Sequence, residues 1–217
     1  MPERILVINP NSNTAVTSAM DRVVDPLRFG DGPRIDCTTL AEGPPGIETQ
    51  RHTDGVVTPL CDLIHREDNA TSAFIIACFG DPGLASAIEI TDRPVFGICQ
   101  AGVTTALNYG ERYGILTNID SDVNFGLRYL RMAGIDARLA GIEPIGIPVT
   151  GLGDVEPSRK ALCEAAVRLK ASGAEVLLTG CAGMTPYKAD IEAASGLKVI
   201  DPIHAAVTLA IGAVCQH

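Results

Sequence analysis

Two cysteines stand apart from the other five in this 217-residue chain. Cys78 closes the apolar run AFIIAC and Cys181 follows EVLLTG, each beside glycine and each leading into a helical pattern. Backbone N–H groups at a helix start stabilise anions, so a thiol placed there is expected to have a lowered pKa and more thiolate near neutral pH. Flanking glycines let the main chain approach a ligand, and their amides can hold a carboxylate or a developing enolate oxygen. One such Cys would suggest a nucleophile or general base. Two, on opposite walls of one cleft, suggest inversion: a thiolate removes a proton from one face of a stereogenic carbon while a thiol returns one to the other.

The remaining candidates are plainer. Cys is among the most buried residue types, so Cys37, Cys61, Cys99, Cys163 and Cys215, within apolar runs or helical patterns, are expected in the core. Asn11 and Ser12, in the stretch PNSN, can help start a helix and also offer amide donors to a ligand. His52, His65 and His204 have no strand-end partner, and solvated or capping roles are expected. GDPG at 80–83 reads as a turn with a helix-starting Pro, since no GxxxxGK[ST] or GxGxxG pattern follows any strand. No Lys sits in a Schiff-base motif and no CxxC pair occurs, so neither a pyridoxal cofactor nor a zinc site is implied.

The elements that must position these residues alternate. Strands are predicted at 5–9, 35–40, 73–78, 94–98, 113–117, 136–140, 175–180 and 198–201. Between them run helical patterns, such as Val16, Met20, Val23, Val24 and Leu27, with Ser12, Asn13 and Thr14 as candidate N-caps. Pro82 and Pro157 sit where helices would begin, and Gly173 where the 157–172 helix would end. The class is α/β, with mostly parallel sheets covered by helices on both faces.

A repeat underlies the alternation. QAGVTTAL at 100–107 matches HAAVTLAI at 204–211 with an offset of 104, and Cys78 and Cys181 are 103 residues apart. RILVINPNSN at 4–13 likewise parallels RYGILTNIDSD at 112–122. The expected organisation is two pseudo-symmetric lobes, 1–99 and 100–217, each a four-stranded sheet flanked by helices. Parallel sheets bind ligands at the carboxyl ends of their strands, so the active site is expected in the interlobe cleft. It would be lined by Asn9–Ser12, Cys78–Gly80, Thr117–Asn118 and Gly180–Gly183.

Composition narrows the partners. The formal charge of −9, with five Phe, four Tyr and no Trp, lacks the cationic footprint and stacking surfaces of nucleic-acid binding. The longest apolar-rich stretch, residues 205–215, falls short of the roughly 20 residues that span a bilayer, and the apolar run near the N-terminus is too short for a signal peptide. A soluble, cytoplasmic protein with free thiols is expected.

ILVINPNSN, AEGPPGIETQ, IIACFGDPGL and TGCAGM together resemble the Asp/Glu/hydantoin racemase superfamily, with FGDPG and GCAGM most like its hydantoin and allantoin racemase branch. The resemblance runs from about Arg4 to Ala210. It implies two pseudo-symmetric α/β lobes, a cofactor-independent two-base mechanism and a homo-oligomer. It also implies Cys78 and Cys181 as the acid/base pair, with Asn11, Ser12, Phe79, Gly80, Thr117, Asn118, Ala182 and Gly183 holding the substrate. Gln100, where many members of the superfamily are expected to carry an acid, and TNID at 117–120, in place of paired threonines, depart from the pattern and bear on substrate choice. Both cysteines are present, which favours inversion over the decarboxylation of the single-cysteine branch.

The chemistry ranks substrates. The C5–H of a hydantoin lies beside a carbonyl in a neutral ring, whereas an amino acid's α-proton lies beside a carboxylate already negative. An amino dicarboxylate would also call for cationic clamps. None of the four strand-end segments contains Lys or Arg. Hydantoins or allantoin therefore rank above aspartate or glutamate, and a non-catalytic two-lobed binder of small acids is the reading from another class.

Overall fold

The computed structural model describes residues 3–215; the two outermost residues at each end, included in the expected lobes 1–99 and 100–217, lie outside the described residues. Packing divides the chain into two units, one running up to Ala101 and resuming at Ile203, the other spanning Gly102–Pro202.

The first unit is built from β1 (Arg4–Asn9), α1 (Thr14–Val24), β2 (Arg34–Thr39), α2 (Gln50–Gly55), α3 (Val57–Glu67), β3 (Ala73–Ile76), α4 (Leu84–Ile90) and β4 (Val95–Gly97), then enters α5 (Ile98–Ala106). Its sheet is parallel throughout, in the order β2-β1-β3-β4. The central strands are apolar on both faces, as a sheet covered by helices requires. Ile5–Ile8 and Ala73–Ile76 are buried, and Leu60 and Ile64 of α3 pack onto Leu6, Ile8, Phe74 and Ile76. Arg4 ties the base of the sheet together, donating to Asp36 at 2.7 Å and Glu67 at 2.6 Å.

The second unit repeats the plan with β5 (Tyr113–Thr117), α6 (Asp120–Met132), β6 (Leu139–Pro144), α7 (Val155–Ala171), β7 (Val176–Thr179), α8 (Lys188–Ser195) and β8 (Lys198–Ile200), followed by α9 (Pro202–Val214). Its parallel sheet runs β6-β5-β7-β8, the same order with each strand number raised by four. The repeat in the sequence is thus a repeat of topology. Leu162, Ala165, Ala166 and Leu169 of α7 form the buried face against Leu116 and Leu177.

Four local expectations differ from the structure. The sixth strand begins at Leu139, because Asp136–Arg138 turn as a 3₁₀ segment before the chain pairs with β5. The first helix stops at Val24, since Pro26 lacks the N–H to continue it and Asp25–Leu27 tightens to 3₁₀; Asn13 is the cap, accepting from the Ala15 amide at 3.0 Å. α4 starts at Leu84 rather than Pro82, while α7 starts two residues before Pro157, which stands in the first turn where a missing N–H costs little. Finally, α9 groups with the first unit rather than with the segment preceding it. Its residues Ala206, Val207 and Ala210 are fully buried, and where such a helix finds its cover is a tertiary choice.

Candidate active site

In a parallel sheet ordered 2-1-3-4, the connections from the first and third strands leave toward opposite faces, opening a crevice at their carboxyl ends. In the first unit these ends carry Asn9–Ser12 and Cys78–Gly80. β1 and β3 pair as far as Ile8 and Ile76, and the Ala77 amide then donates to Ile8 O at 2.8 Å. The sheet thereby delivers Asn11, Ser12, Cys78, Phe79 and Gly80 to one edge. Cys78, the second residue past β3, is partly buried, with its Sγ 3.7 Å from Phe79 O.

The PNSN loop is internally braced. Asn9, fully buried, holds its Nδ2 within hydrogen-bond distance of Asn11 Oδ1 (3.0 Å), Asn13 O (3.1 Å) and Thr17 Oγ1 (3.0 Å), which share its two hydrogens, and Asn11 Oδ1 also accepts from the Asn13 amide at 2.9 Å. Asn11 Oδ1 is therefore committed to shaping the loop. The AEGPPG loop after β2 packs onto it, with the Ser12 amide donating to Pro44 O at 2.9 Å. Gly43 sits so close that an added Cβ would run into the Pro10 carbonyl.

The GDPG turn does more than reverse the chain. Gly80 (φ 106°), Asp81 (φ 46°) and Gly83 (φ 73°) all take left-handed conformations, one that Asp tolerates better than most side chains. The loop carries the Asp81 carboxylate, only 3% exposed, onto the start of α5. Oδ1 accepts from the Cys99 amide at 2.8 Å and Oδ2 from the Gln100 amide at 2.9 Å. Gly97 has no side chain to obstruct it; a Cβ there would overlap the carboxylate. Sequence reasoning missed Asp81 because the stretch Gly80-Asp81-Pro82-Gly83 reads simply as a turn.

In the second unit the equivalent edge carries Thr117–Asn118 and Gly180–Gly183. The Gly180 amide donates to Leu116 O at 2.8 Å, extending the β5–β7 pairing one residue and setting Cys181 two residues past β7, the position Cys78 holds past β3. Thr117 and Asn118 are buried and already engaged. The Thr117 hydroxyl donates to Asp122 Oδ2 at 3.1 Å, and Asn118 Nδ2 to Ile147 O at 3.1 Å. Asp122 also accepts from the Ile119 amide and so caps α6. Ala182 and Gly183 open the 3₁₀ segment Ala182–Tyr187, which is held where Thr185 Oγ1 donates to the Asp201 carboxylate. A Cβ on Gly183 would stand 2.7 Å from Leu152 Cδ1, so the segment 145–152, with Ile145, Ile147 and Leu152, packs as an apolar wall beside Cys181. The wall follows directly on β6, which ends at Pro144.

Electrostatics correct one expectation. Burial, followed by the charges of Asp122 and Asp201, pushes the Cys181 thiol up to about 11 against an ordinary 9.0, outweighing the Gly183 N–H that lowers it. The short 3₁₀ start does not supply the anion stabilisation expected of a long helix. Cys181 is therefore a thiol near neutral pH.

The other cysteines divide. Cys99 is fully buried, and burial and Asp81 push its thiol well above the ordinary value. Cys37, Cys61 and Cys163 are only partly buried and Cys215 is exposed, against the core expectation, because they face a sheet edge or the outer sides and ends of helices. Burial raises Cys37 to about 12, leaving it unreactive as a thiolate source. Gln100 is exposed, at the start of α5. Among the described residues, no group of three or more His, Cys, Asp or Glu side chains converges as a metal site would need, and no helix is long and apolar enough to cross a membrane.

Two like sheets, each presenting a cysteine at its switch point, define a class that comparison makes explicit. The family model described as Asp/Glu/Hydantoin racemase matches residues 5–210, and the chain belongs to this family. It is 31% identical over 211 residues to a hydantoin racemase of Paenarthrobacter aurescens, covering 95% of this chain and 89% of that one. To a hydantoin racemase of Rhizobium meliloti it is 30% identical, with 95% and 86% covered. The structure of an allantoin racemase from Pseudomonas fluorescens superposes with a TM-score of 0.89 at 26% identity, over 98% of this chain and 91% of that one. The protein is an isomerase, a racemase of the hydantoin/allantoin branch.

Proposed function

We propose that this racemase inverts the C5 stereocentre of a 5-substituted hydantoin or of allantoin, without a cofactor, by proton transfer involving Cys78 and Cys181. The observation that carries the reading is the equivalent placement of the two cysteines, each two residues past the third strand of its own parallel sheet. One thiolate takes the C5 proton. Its electron pair delocalises onto the adjacent ring carbonyl, whose oxygen is held by the amides of the glycine-bearing loops, and the opposite thiol delivers its proton to the other face. The cysteines end with exchanged protonation states, and exchange with solvent or the reverse reaction resets them.

Because enantiomers are equal in free energy, kcat/KM is the same in both directions whatever the resting proton distribution.

Charge supports a neutral ring as substrate. The charged groups felt by Cys181 are the carboxylates of Asp122 and Asp201, and no Lys or Arg occurs in the strand-end segments. An amino dicarboxylate would meet repulsion there. Asn11, Ser12, Phe79, Gly80, Asn118, Ala182 and Gly183 are proposed to contact the ring, while Thr117 acts through Asp122. Membership in a racemase family sets aside the non-catalytic binding reading. The seven cysteines, all free, support a reducing, cytoplasmic setting. A homo-oligomer is expected from the family resemblance and is checked by native mass.

The test incubates single enantiomers of several hydantoins, allantoin and aspartate in deuterated water, following optical rotation and deuterium incorporation together. Cys78→Ser and Cys181→Ser should each abolish net racemisation, while one base survives to exchange the proton of one enantiomer. Full racemisation by either variant, or preference for aspartate, would sink the proposal.

A further inference from the structure

We propose that Asp81 is a positioning residue for Cys78: its buried carboxylate, clamped on the first amides of α5, fixes the loop that sets where the thiol stands. The inference rests on the reading of Cys78 as an acid/base group.

A turn with two glycines in left-handed conformations is costly to order and, left to itself, soft. A base must nonetheless hold its sulfur within a fraction of an ångström of the productive position. The loop is closed by the Asp81 amide donating to Cys78 O at 3.0 Å and by the Leu84 amide donating to Asp81 O at 3.2 Å, so Asp81 grips both the cysteine and the start of α4 through its backbone. Its side chain then fastens the same residue to α5. That helix has no acid in its own first turn, and the Asp81 carboxylate supplies the anion its N–H groups favour.

Only a carboxylate can do this. Each oxygen accepts from a different amide, whereas Asn would turn an N–H₂ toward one of them. The desolvation of a nearly buried charge is offset because both oxygens are paired. The second unit makes the same join with the partners exchanged: Asp201, immediately before α9, accepts from Thr185 in the loop that follows Cys181.

The test compares wild type with Asp81→Asn, which removes one tether, and Gly97→Ala, which leaves the charge but crowds it. Each variant is assayed well below its melting temperature for kcat and KM on a racemised hydantoin, and Cys78 and Cys181 are alkylated with iodoacetamide and quantified by peptide mapping. The expected result is a kcat loss on the order of 100-fold, with KM within about threefold. Cys78 alkylation should change while Cys181 alkylation does not. Wild-type kcat in both variants, or a loss that only tracks the unfolded fraction with Cys78 alkylation unchanged, would overturn the positioning role. Absence of deuterium incorporation by wild type would instead sink the underlying reading, while the Cys78 alkylation comparison would still judge the latch.

Discussion

The titration of Cys181 offers the sharpest check on the site. Its thiol sits at about 11, held there first by burial and then by Asp122 and Asp201. At pH 7 that leaves ~10⁻⁴ of Cys181 as thiolate, against ~10⁻² for a thiol at 9.0. Alkylation by iodoacetamide, followed by peptide mapping across pH 6 to 12, should show Cys181 modification rising tenfold per pH unit to a midpoint near 11. Asp122→Asn, which keeps an oxygen for the Thr117 and Ile119 donors but removes the charge, should lower that midpoint. The sign also bears on stability. A folded-state pKa raised above the unfolded value stabilises fully below about 9 and is lost as pH climbs through about 11, a change on the order of 2–3 kcal/mol. Catalysis should follow the same group, so the high-pH limb of kcat/KM should fall near 11 rather than near 9. A wild-type alkylation midpoint at or below 9 would refute the reasoning, because neither burial nor the two carboxylates would then be acting on the sulfur.

Two further outcomes follow from packing. Gly180→Ala would place a Cβ 2.6 Å from Leu116 O, backbone that cannot step aside, so it should lower stability by about 1–3 kcal/mol and displace Cys181, read as a fall in both melting temperature and kcat. Ser158 is fully buried on α7 and its hydroxyl has no hydrogen-bond partner among the described residues; Ser158→Ala should leave the melting temperature unchanged or raise it, as thermal denaturation will show.

Much of this protein is written locally. Apolar runs such as ILVIN and AFII, short and flanked by turn residues, read as central strands of covered parallel sheets, and the spacing of Cys78 and Cys181 marks two equivalent strand ends. Those features depend on neighbours within a few residues or on self-similarity, both properties of the linear chain. The family followed from motifs of the same kind.

Other features needed the tertiary structure, because they join residues that sequence separates. Asp81 meets the amides of Cys99 and Gln100 across 18 and 19 residues, in a space that exists only because position 97 is glycine. The assignment of α9 to the first unit depends on which apolar surface is left uncovered, and a helix apolar on most sides carries no address for it. The thiol pKa went furthest from expectation. A cysteine before a helical pattern promises a stabilised thiolate, yet the folded chain half-buries Cys181 and brings Asp122 and Asp201 within electrostatic reach of its sulfur. Residue order determined that there would be two thiols at two strand ends; desolvation and charge, which arise only on folding, decided that Cys181 waits with its proton on.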